Sequence, residues 1–166
     1  MEYIIRKREK RDSYGIAHVI TVAWNETYKG IVPDNELENL KNNEEERAEK
    51  LDEKFSESGN MQFVLEIDNK IVGFVNFGIS ENEEFEKCGE IFALYIIKKY
   101  EGNGYGRKLV EEAKKELKLL GCDKMIIACF KENPSNEFYK HIGGKYIKDG
   151  LYKRLNIPEN IYYYEI

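Results

Sequence analysis

The 166-residue sequence is poor in the residues that build disulfide frameworks and metal centres. It has 3 cysteines, Cys88, Cys122 and Cys129, which form no C-x-x-C pair, and only 2 histidines. An odd number of cysteines without a paired spacing predicts reduced thiols in a cytoplasmic protein, and we expect no zinc or other metal site. With 3 prolines, 13 glycines and 42% hydrophobic residues, the chain is neither collagenous nor disordered.

Long apolar runs and an excess of positive charge are also absent. No segment approaches the roughly 18 apolar residues of a membrane span, and the first residues lack the apolar core of a secretory signal, so we expect no membrane partner. Lys and Arg (26) are outnumbered by Asp and Glu (31), which disfavours a nucleic-acid partner. The basic cluster that begins at Arg6 is interrupted by Glu9 and Asp12, and we interpret it as a solvated strand end rather than a nucleic-acid-binding arm.

The length predicts one domain over residues 1–166, and the apolar periodicity predicts its elements. The first half is expected to hold a strand at 2–6, three helices that begin near Ser13, at Asp34 and at 44 (the last over 44–57), and a hairpin of 61–67 and 70–77. The second half is expected to hold a buried strand at 91–97, a helix from Tyr105, a strand at 125–130, a helix after Pro134, and closing strands near Tyr146 and at 162–166. This mixed order predicts an α/β (α+β) class.

The segment most informative about function joins the buried strand at 91–97 to the helix that begins at Tyr105. Three alternating glycines, Gly102, Gly104 and Gly106, stand between them and directly precede Arg107. A strand, a glycine loop and a helix N-terminus direct unpaired N–H groups and a positive dipole end at one point, which suits a phosphate. The G-x-G-x-G spacing matches neither the Walker pattern nor the dinucleotide pattern, which disfavours ATP and NAD. A tight strand-to-helix turn without a ligand is the alternative.

This loop resembles the acyl-CoA pyrophosphate loop of the GNAT superfamily of N-acyltransferases. The family signature is Gln or Arg, two residues, Gly, one residue, then Gly or Ala, and the chain has EGNGYG at 101–106. The resemblance extends over nearly the whole chain and includes WNETYKGIVP at 24–33 and NPSNEFYKHIGG at 133–144. Two departures are Glu101, where the family usually has Gln or Arg, and Gly144, where many members have Phe.

The resemblance implies a single-domain GNAT-like fold and acetyl-CoA as the co-substrate. In that fold a mixed central sheet of about six to seven strands is flanked by helices, and the two central parallel strands splay apart in a V. The residues implied to contact the co-substrate are Leu94, Tyr95 and Ile96 through their backbone, the loop residues Glu101, Gly102, Asn103, Gly104, Tyr105, Gly106 and Arg107, and Asn133.

Tyr139 corresponds to the usual acid of the family, which assists departure of the CoA thiolate. An unperturbed tyrosine is a weaker acid than a thiol, so full proton transfer from Tyr139 to the CoA thiolate costs about 2 kcal/mol. A hydrogen bond from the tyrosine to the thiolate does not carry this cost. A buried core aromatic is the alternative reading of Tyr139. Glu90 and Glu26 are the candidate bases, with an ordinary surface carboxylate as the alternative for each.

The loop between the first two helices sets acceptor specificity in the superfamily, and Trp24, Glu26 and Tyr28 are the candidate substrate-binding residues. Their charge and aromatic faces suit a cationic, polyamine-like small molecule. The sequence thus predicts acetyl transfer from acetyl-CoA to a primary amine by direct attack in a ternary complex. Acetylation of a protein amine and a non-catalytic CoA-binding sensor or interaction module are the alternatives. Many members of the family form homodimers, and the aromatic segment 162–164 suits either that contact or a core strand.

Overall fold

The computed structural model describes residues 2–56 and 61–166, and a seven-stranded sheet is its centre. The strands are β1 (Tyr3–Lys7), β2 (Met61–Ile67), β3 (Lys70–Ile79), β4 (Cys88–Ile96), β5 (Lys124–Phe130), β6 (Lys145–Tyr152) and β7 (Ile157–Glu165). Their order across the sheet is β1-β2-β3-β4-β5-β7-β6. The β4–β5 pair is parallel and the other pairs are antiparallel, so the predicted mixed sheet is confirmed.

Helices cover both faces of this sheet. They are α1 (Ser13–Thr27), α2 (Asp34–Asn42), α3 (Glu44–Glu53), α4 (Tyr105–Leu119) and α5 (Asn136–His141). On one face α4 buries Leu109 and Leu117 against the sheet, and α5 adds Tyr139 to the same core. On the other face α1 buries Ile16 and Val19 against β2 and β3. The helical spacing of these apolar residues is what turns each helix toward the sheet.

The third helix is shorter than the predicted range 44–57. It ends at Glu53 and is followed by a turn over residues 54–56, while Glu57 lies outside the described residues. Within α3 only Ala48 is buried. Because most helical stability comes from packing an apolar face, this polar segment has little to hold it in a longer helix.

The hairpin of β2 and β3 forms as predicted, and its turn explains why. Asp68 and Asn69 have φ angles of +51° and +63°. A two-residue turn with both φ values positive matches the right-handed twist of the two strands, and Asp and Asn tolerate this conformation better than most residues.

The two parallel strands splay apart as the resemblance implies. β4 and β5 pair from Cys88↔Lys124 to Ile91↔Ile127 and no further. The register of β3 with β4 moves from Phe77↔Ile91 to Asn76↔Ala93, which leaves Phe92 as an extra residue in β4. This β-bulge bends β4 at the point where the parallel pairing ends. Beyond it β4 follows β3 and β5 follows β7, so a V-shaped gap opens between them.

Arg47 of α3 ties the three N-terminal helices together. Its guanidinium donates to the backbone carbonyls of Leu40 (3.2 Å) and Ala17 (3.2 Å) and to the Thr21 hydroxyl (2.5 Å). The Leu40 carbonyl lies in the last turn of α2, where a cation also favours the helix dipole. One side chain therefore satisfies acceptors from both neighbouring helices.

We expect Arg47→Met to lower the free energy of unfolding by about 2 kcal/mol, because partly buried acceptors lose a charged donor. Lys50→Met is the matched control, since Lys50 lies on the same helix, is exposed and, among residues 2–56 and 61–166, forms an ion pair only with Glu46 (3.3 Å). The control change should be below about 0.5 kcal/mol. Urea unfolding of both variants measures the difference, and equal losses would show that Arg47 does not join these helices.

Candidate active site

The glycine loop runs between β4 and α4 and leaves backbone N–H groups free at the start of α4. Gly102 and Gly104 have φ angles of +81° and +82°, and Gly104 is the N-cap of the helix. A Cβ built on either glycine would meet no atom within 4 Å, so the loop surface is open. The Lys108 N–H bonds to the Gly104 carbonyl (3.2 Å), and the first-turn N–H groups before it are available to an anion.

A cleft of about 610 Å³ adjoins this loop, and we call it the loop cleft. Its polar end is formed by Glu101, Gly102, Gly104 and Arg107, and its apolar end by Leu94 and Ile96 of β4 with Phe138 and Tyr139 of α5. A site with an anion-binding end and an apolar groove beside a splayed strand fits a ligand with a phosphate head and a long, thin arm. Acyl-CoA, which the family resemblance implies, is a ligand of this shape.

A second cavity, of about 380 Å³, lies on the α1 face of the sheet, and we call it the aromatic cavity. Its aromatic walls come from Trp24, Tyr28, Tyr95, Phe130 and Tyr152. The ring centroids of Trp24 and Tyr28 are 4.9 Å apart, those of Tyr28 and Phe130 5.0 Å, and those of Phe130 and Tyr152 5.4 Å. Leu94 and Tyr139 line this cavity as well as the loop cleft, so the two spaces meet in the V-shaped gap.

Tyr139 is held at this junction with its side chain 8% exposed. Its carbonyl accepts hydrogen bonds from the Tyr164 hydroxyl (2.8 Å) and the Gly144 N–H (3.0 Å). Burial, and then the neighbouring Cys129 and Tyr95, raise the pKa of Tyr139 well above its ordinary value, so the phenol stays neutral and can donate a hydrogen bond, whereas full transfer of its proton becomes more costly. A Cβ at Gly144 would lie 2.6 Å from both the Tyr139 carbonyl and the Tyr164 hydroxyl, which explains glycine at this position.

Asn136 anchors the start of α5, and the sequence did not predict its role. Its amide nitrogen donates to the carbonyls of Phe130 (2.8 Å) and Asn133 (2.6 Å). Its amide oxygen accepts from the Tyr162 hydroxyl (2.6 Å) and from the Asn160 amide (3.0 Å). These bonds fix α5, and with it Tyr139, to β5 and β7.

Two carboxylates lie on the α1 face of the sheet near the gap. Glu90 precedes the last parallel pair of β4 and accepts a hydrogen bond from the Ser80 hydroxyl (2.8 Å). Burial raises the pKa of Glu90, although the Ser80 hydrogen bond partly lowers it. Glu159 of β7 lies opposite Phe130 and lines the aromatic cavity, and burial together with the Glu90 charge raises its pKa. The sequence analysis named Glu90 as a candidate base, and it did not single out Glu159.

The structure brings Trp24 and Tyr28 together in the aromatic cavity but places Glu26 elsewhere. The Glu26 carboxylate accepts a hydrogen bond from the Lys98 N–H (3.0 Å), just ahead of the glycine loop, and does not line the cavity. Burial raises the pKa of Glu101, and the charge of Glu26 raises it further. Glu26 therefore contacts the loop side of the site rather than the acceptor side.

The two asparagines predicted to contact the co-substrate brace the backbone. Asn103 donates to the carbonyls of Tyr100 (3.2 Å) and Glu101 (3.3 Å) inside the loop. Asn133 accepts a hydrogen bond from the Ser135 N–H (2.8 Å) and lines the aromatic cavity, not the loop cleft.

Within the described residues, no three His, Cys, Asp or Glu side chains are arranged to hold a metal ion. In that same part of the chain, no helix has both the length and the apolar character of a membrane span.

Sequence comparison identifies relatives over most of the chain. Residues 23–143 match the family model described as Acetyltransferase (GNAT) family. The N-acetyltransferase YuaI of Bacillus subtilis is 29% identical over 137 residues, which cover 82% of this chain and 76% of YuaI.

Solved structures of similar fold include enzymes crystallised with coenzyme A. The PaiA N-acetyltransferase of Thermoplasma acidophilum, in complex with coenzyme A, matches 100% of both chains with a TM-score of 0.80 and 21% identity. yncA of Salmonella typhimurium, solved with acetyl-CoA, matches 98% of this chain and 93% of its own with a TM-score of 0.67 and 17% identity. These likenesses confirm the predicted fold. Together with the family match, they show that the chain belongs to the GNAT family of acetyltransferases, enzymes that take their acetyl group from acetyl-CoA.

Proposed function

We propose that this enzyme transfers the acetyl group of acetyl-CoA to a primary amine of a small, polyamine-like molecule by direct attack in a ternary complex. The observation that carries the proposal is that the loop cleft and the aromatic cavity share Leu94 and Tyr139. A donor in one space and an acceptor in the other meet only in the gap between β4 and β5. Holding both reactants there makes the reaction effectively unimolecular.

The donor side of the proposal rests on the loop cleft. The N–H groups around Gly102, Gly104 and Gly106, with Arg107, hold the pyrophosphate, and the backbone of Leu94, Tyr95 and Ile96 holds the pantetheine arm. Asn103 and Tyr105 shape the loop, and Asn133 supports the segment before α5. Glu101 opposes the phosphate charge, but most of the contacts are backbone donors that a side chain does not remove. The coenzyme A bound to PaiA supports this assignment.

Two steps need help from the protein: the attacking amine must lose a proton, and the thiolate that leaves the thioester must be stabilised. Glu90 lines neither the loop cleft nor the aromatic cavity, so it takes the proton that the attacking amine loses through a water molecule. Its raised pKa brings it closer to neutral pH. As the new C–N bond forms and the C–S bond breaks, Tyr139 donates a hydrogen bond to the departing sulfur, and CoA leaves as a thiolate that takes its proton from solvent. Cys129 is unsuited to a covalent route, because burial raises the pKa of its thiol to about 12.

The acceptor side of the proposal rests on the aromatic cavity. Trp24 and Tyr28 present ring faces to the space, and aromatic faces attract ammonium groups. Among the described residues that line the cavity, none is Lys, Arg or His, so no like charge opposes a cation.

A thiol-release assay tests the proposed reaction. The protein is incubated with acetyl-CoA and, separately, with putrescine, spermidine, n-butylamine and a peptide with a free N-terminal amine. We expect that thiol release requires an amine and that it is faster with putrescine and spermidine than with the peptide. Faster release with the peptide would favour protein acetylation, and acetyl-CoA binding without release for any amine would favour the sensor alternative.

Gly104→Ala tests the proposed phosphate contact. The added methyl group would stand in open space at a residue that lines the loop cleft and has positive φ, so we expect the Kd for acetyl-CoA to rise about tenfold. Gly121→Ala is the matched control: Gly121 also has positive φ (+91°) and open space, but it follows the other end of α4. Both variants should lose about 1–2 kcal/mol of stability. Calorimetric titration measures binding, and equal affinities of the two variants would contradict the assignment.

A further inference from the structure

We infer that Glu159 binds a second ammonium group of the acceptor, so that the enzyme selects diamines and longer polyamines over monoamines. This inference rests on the proposed function and adds a distal subsite to its acceptor cavity. Three observations support it: the Glu159 carboxylate lines the aromatic cavity, it has no partner among the described residues, and apolar rings surround it.

Glu159 is the one charged side chain among the described residues that line the aromatic cavity. It is half-buried, and it forms no hydrogen bond or ion pair with any residue in 2–56 or 61–166. Other carboxylates near the site are paired: Glu90 accepts from Ser80, and Glu36 binds Arg154 (3.0 Å). A partly buried carboxylate without a partner is costly, and an ammonium group brought by a ligand would offset that cost.

The charges that face Glu159 add to this preference. Glu90 lies near enough for its charge to raise the pKa of Glu159, so the two carboxylates together attract cations. Lys131, at the end of the neighbouring strand, is held by Asp149 and by the Asn160 amide oxygen (3.0 Å). No described lysine, arginine or histidine nitrogen lies within 4.0 Å of the Glu159 carboxylate.

The walls of the cavity suit the carbon chain between two amines. Phe130 lies directly opposite Glu159 in the β5–β7 register, and its ring stacks on Tyr152 with centroids 5.4 Å apart. Methylene groups can pack on these rings while the ammonium reaches the carboxylate. Asn76 also lines the cavity, and its side-chain oxygen is buried without a hydrogen-bond partner among the described residues.

Glu159 lies one strand away from the gap between the parallel strands, a separation that suits a short diamine. Cys129 and Tyr139 line the cavity at the gap, and Glu159 stands on β7, the strand next to β5. Neighbouring strands are about 4.8 Å apart, so the distal carboxylate is within the span of a small diamine whose other nitrogen reacts in the gap.

The test compares putrescine with n-butylamine, which has the same carbon chain and one amine. For the wild type we expect kcat/KM to be at least about tenfold higher with putrescine. Glu159→Gln should lower the ratio of the two kcat/KM values by about tenfold, mainly through the KM for putrescine. Calorimetric titration of putrescine into the protein saturated with CoA should show the same loss of affinity.

Glu165→Gln, on the same strand and exposed, is the control and should leave both the ratio and putrescine binding unchanged. Acetyl-CoA affinity and Tm check that Glu159→Gln is folded. If the wild type acetylates both amines equally well, or if Glu159→Gln keeps the wild-type ratio, the distal subsite is wrong and the proposed function stands. If no amine is acetylated and putrescine does not bind, both fail.

Discussion

Tyr139→Phe is expected to lower kcat by about 100-fold while leaving acetyl-CoA affinity nearly unchanged. The phenylalanine ring keeps the packing of Tyr139 against Phe138 (5.3 Å) and Tyr162 (6.2 Å), and the backbone hydrogen bonds of α5 do not involve the lost hydroxyl. What the variant loses is the neutral phenol at the junction of the loop cleft and the aromatic cavity. The departing sulfur then has no donor.

Steady-state kinetics and acetyl-CoA titration of the purified variant check this prediction. Tyr14→Phe is the matched control, because Tyr14 is an exposed tyrosine of α1, 54% accessible, and should show wild-type kcat. A Tyr139→Phe enzyme with wild-type kcat would mean that Tyr139 is a core aromatic and that another group serves the leaving thiolate.

Glu90→Gln is expected to remove the acidic limb of the pH profile of kcat/KM and to lower its plateau by about 100-fold. A base must be deprotonated to act, so activity rises as pH rises through the pKa of Glu90. Because burial raises that pKa, the limb of the wild type lies above the ordinary range of a glutamate. The titration of the amine substrate itself is common to all variants and does not affect the comparison.

Ser80→Ala provides a finer test of the same carboxylate. The Ser80 hydroxyl donates to Glu90 (2.8 Å) and stabilises the ionised form, so its loss should move the limb to higher pH without removing it. Glu111→Gln, on the exposed side of α4, should keep the wild-type profile. Rates measured between about pH 5 and 9 separate these outcomes. If Glu90→Gln retained the limb, the base would have to be another group, and Glu159 is the neighbouring candidate.

The elements that the sequence predicts well are those whose signals are local. α1 begins at Ser13 and α2 at Asp34, and the β2–β3 turn falls on Asp68 and Asn69, because helix periodicity and turn chemistry are written in adjacent residues. The end of α3 was predicted four residues too late. Its weak apolar pattern gave no information on where packing against α1 stops.

The site is predicted in part, and its missing members depend on strand register. The glycine loop is contiguous, so Gly102 and Gly104 could be recognised directly. The splay of the parallel strands was implied by the family resemblance rather than by any local pattern, and its position at Phe92 was not predicted. Glu159 reaches the aromatic cavity only because β7 pairs with β5 in the register Phe130↔Glu159, and Asn136 acts through Tyr162 on the same strand. The sequence near these residues predicts neither the Phe130↔Glu159 register nor the contact of Asn136 with Tyr162.

Direct transfer at the junction of the two spaces is the central claim, and a mass measurement on the wild-type protein tests it. The protein is incubated with acetyl-CoA alone and its intact mass is recorded; putrescine is then added and the products are quantified. We predict an unmodified protein before the amine, and afterwards free CoA and N-acetylated putrescine in equal amounts. A protein that becomes acetylated by acetyl-CoA alone, and then passes that group to putrescine, would contradict the account.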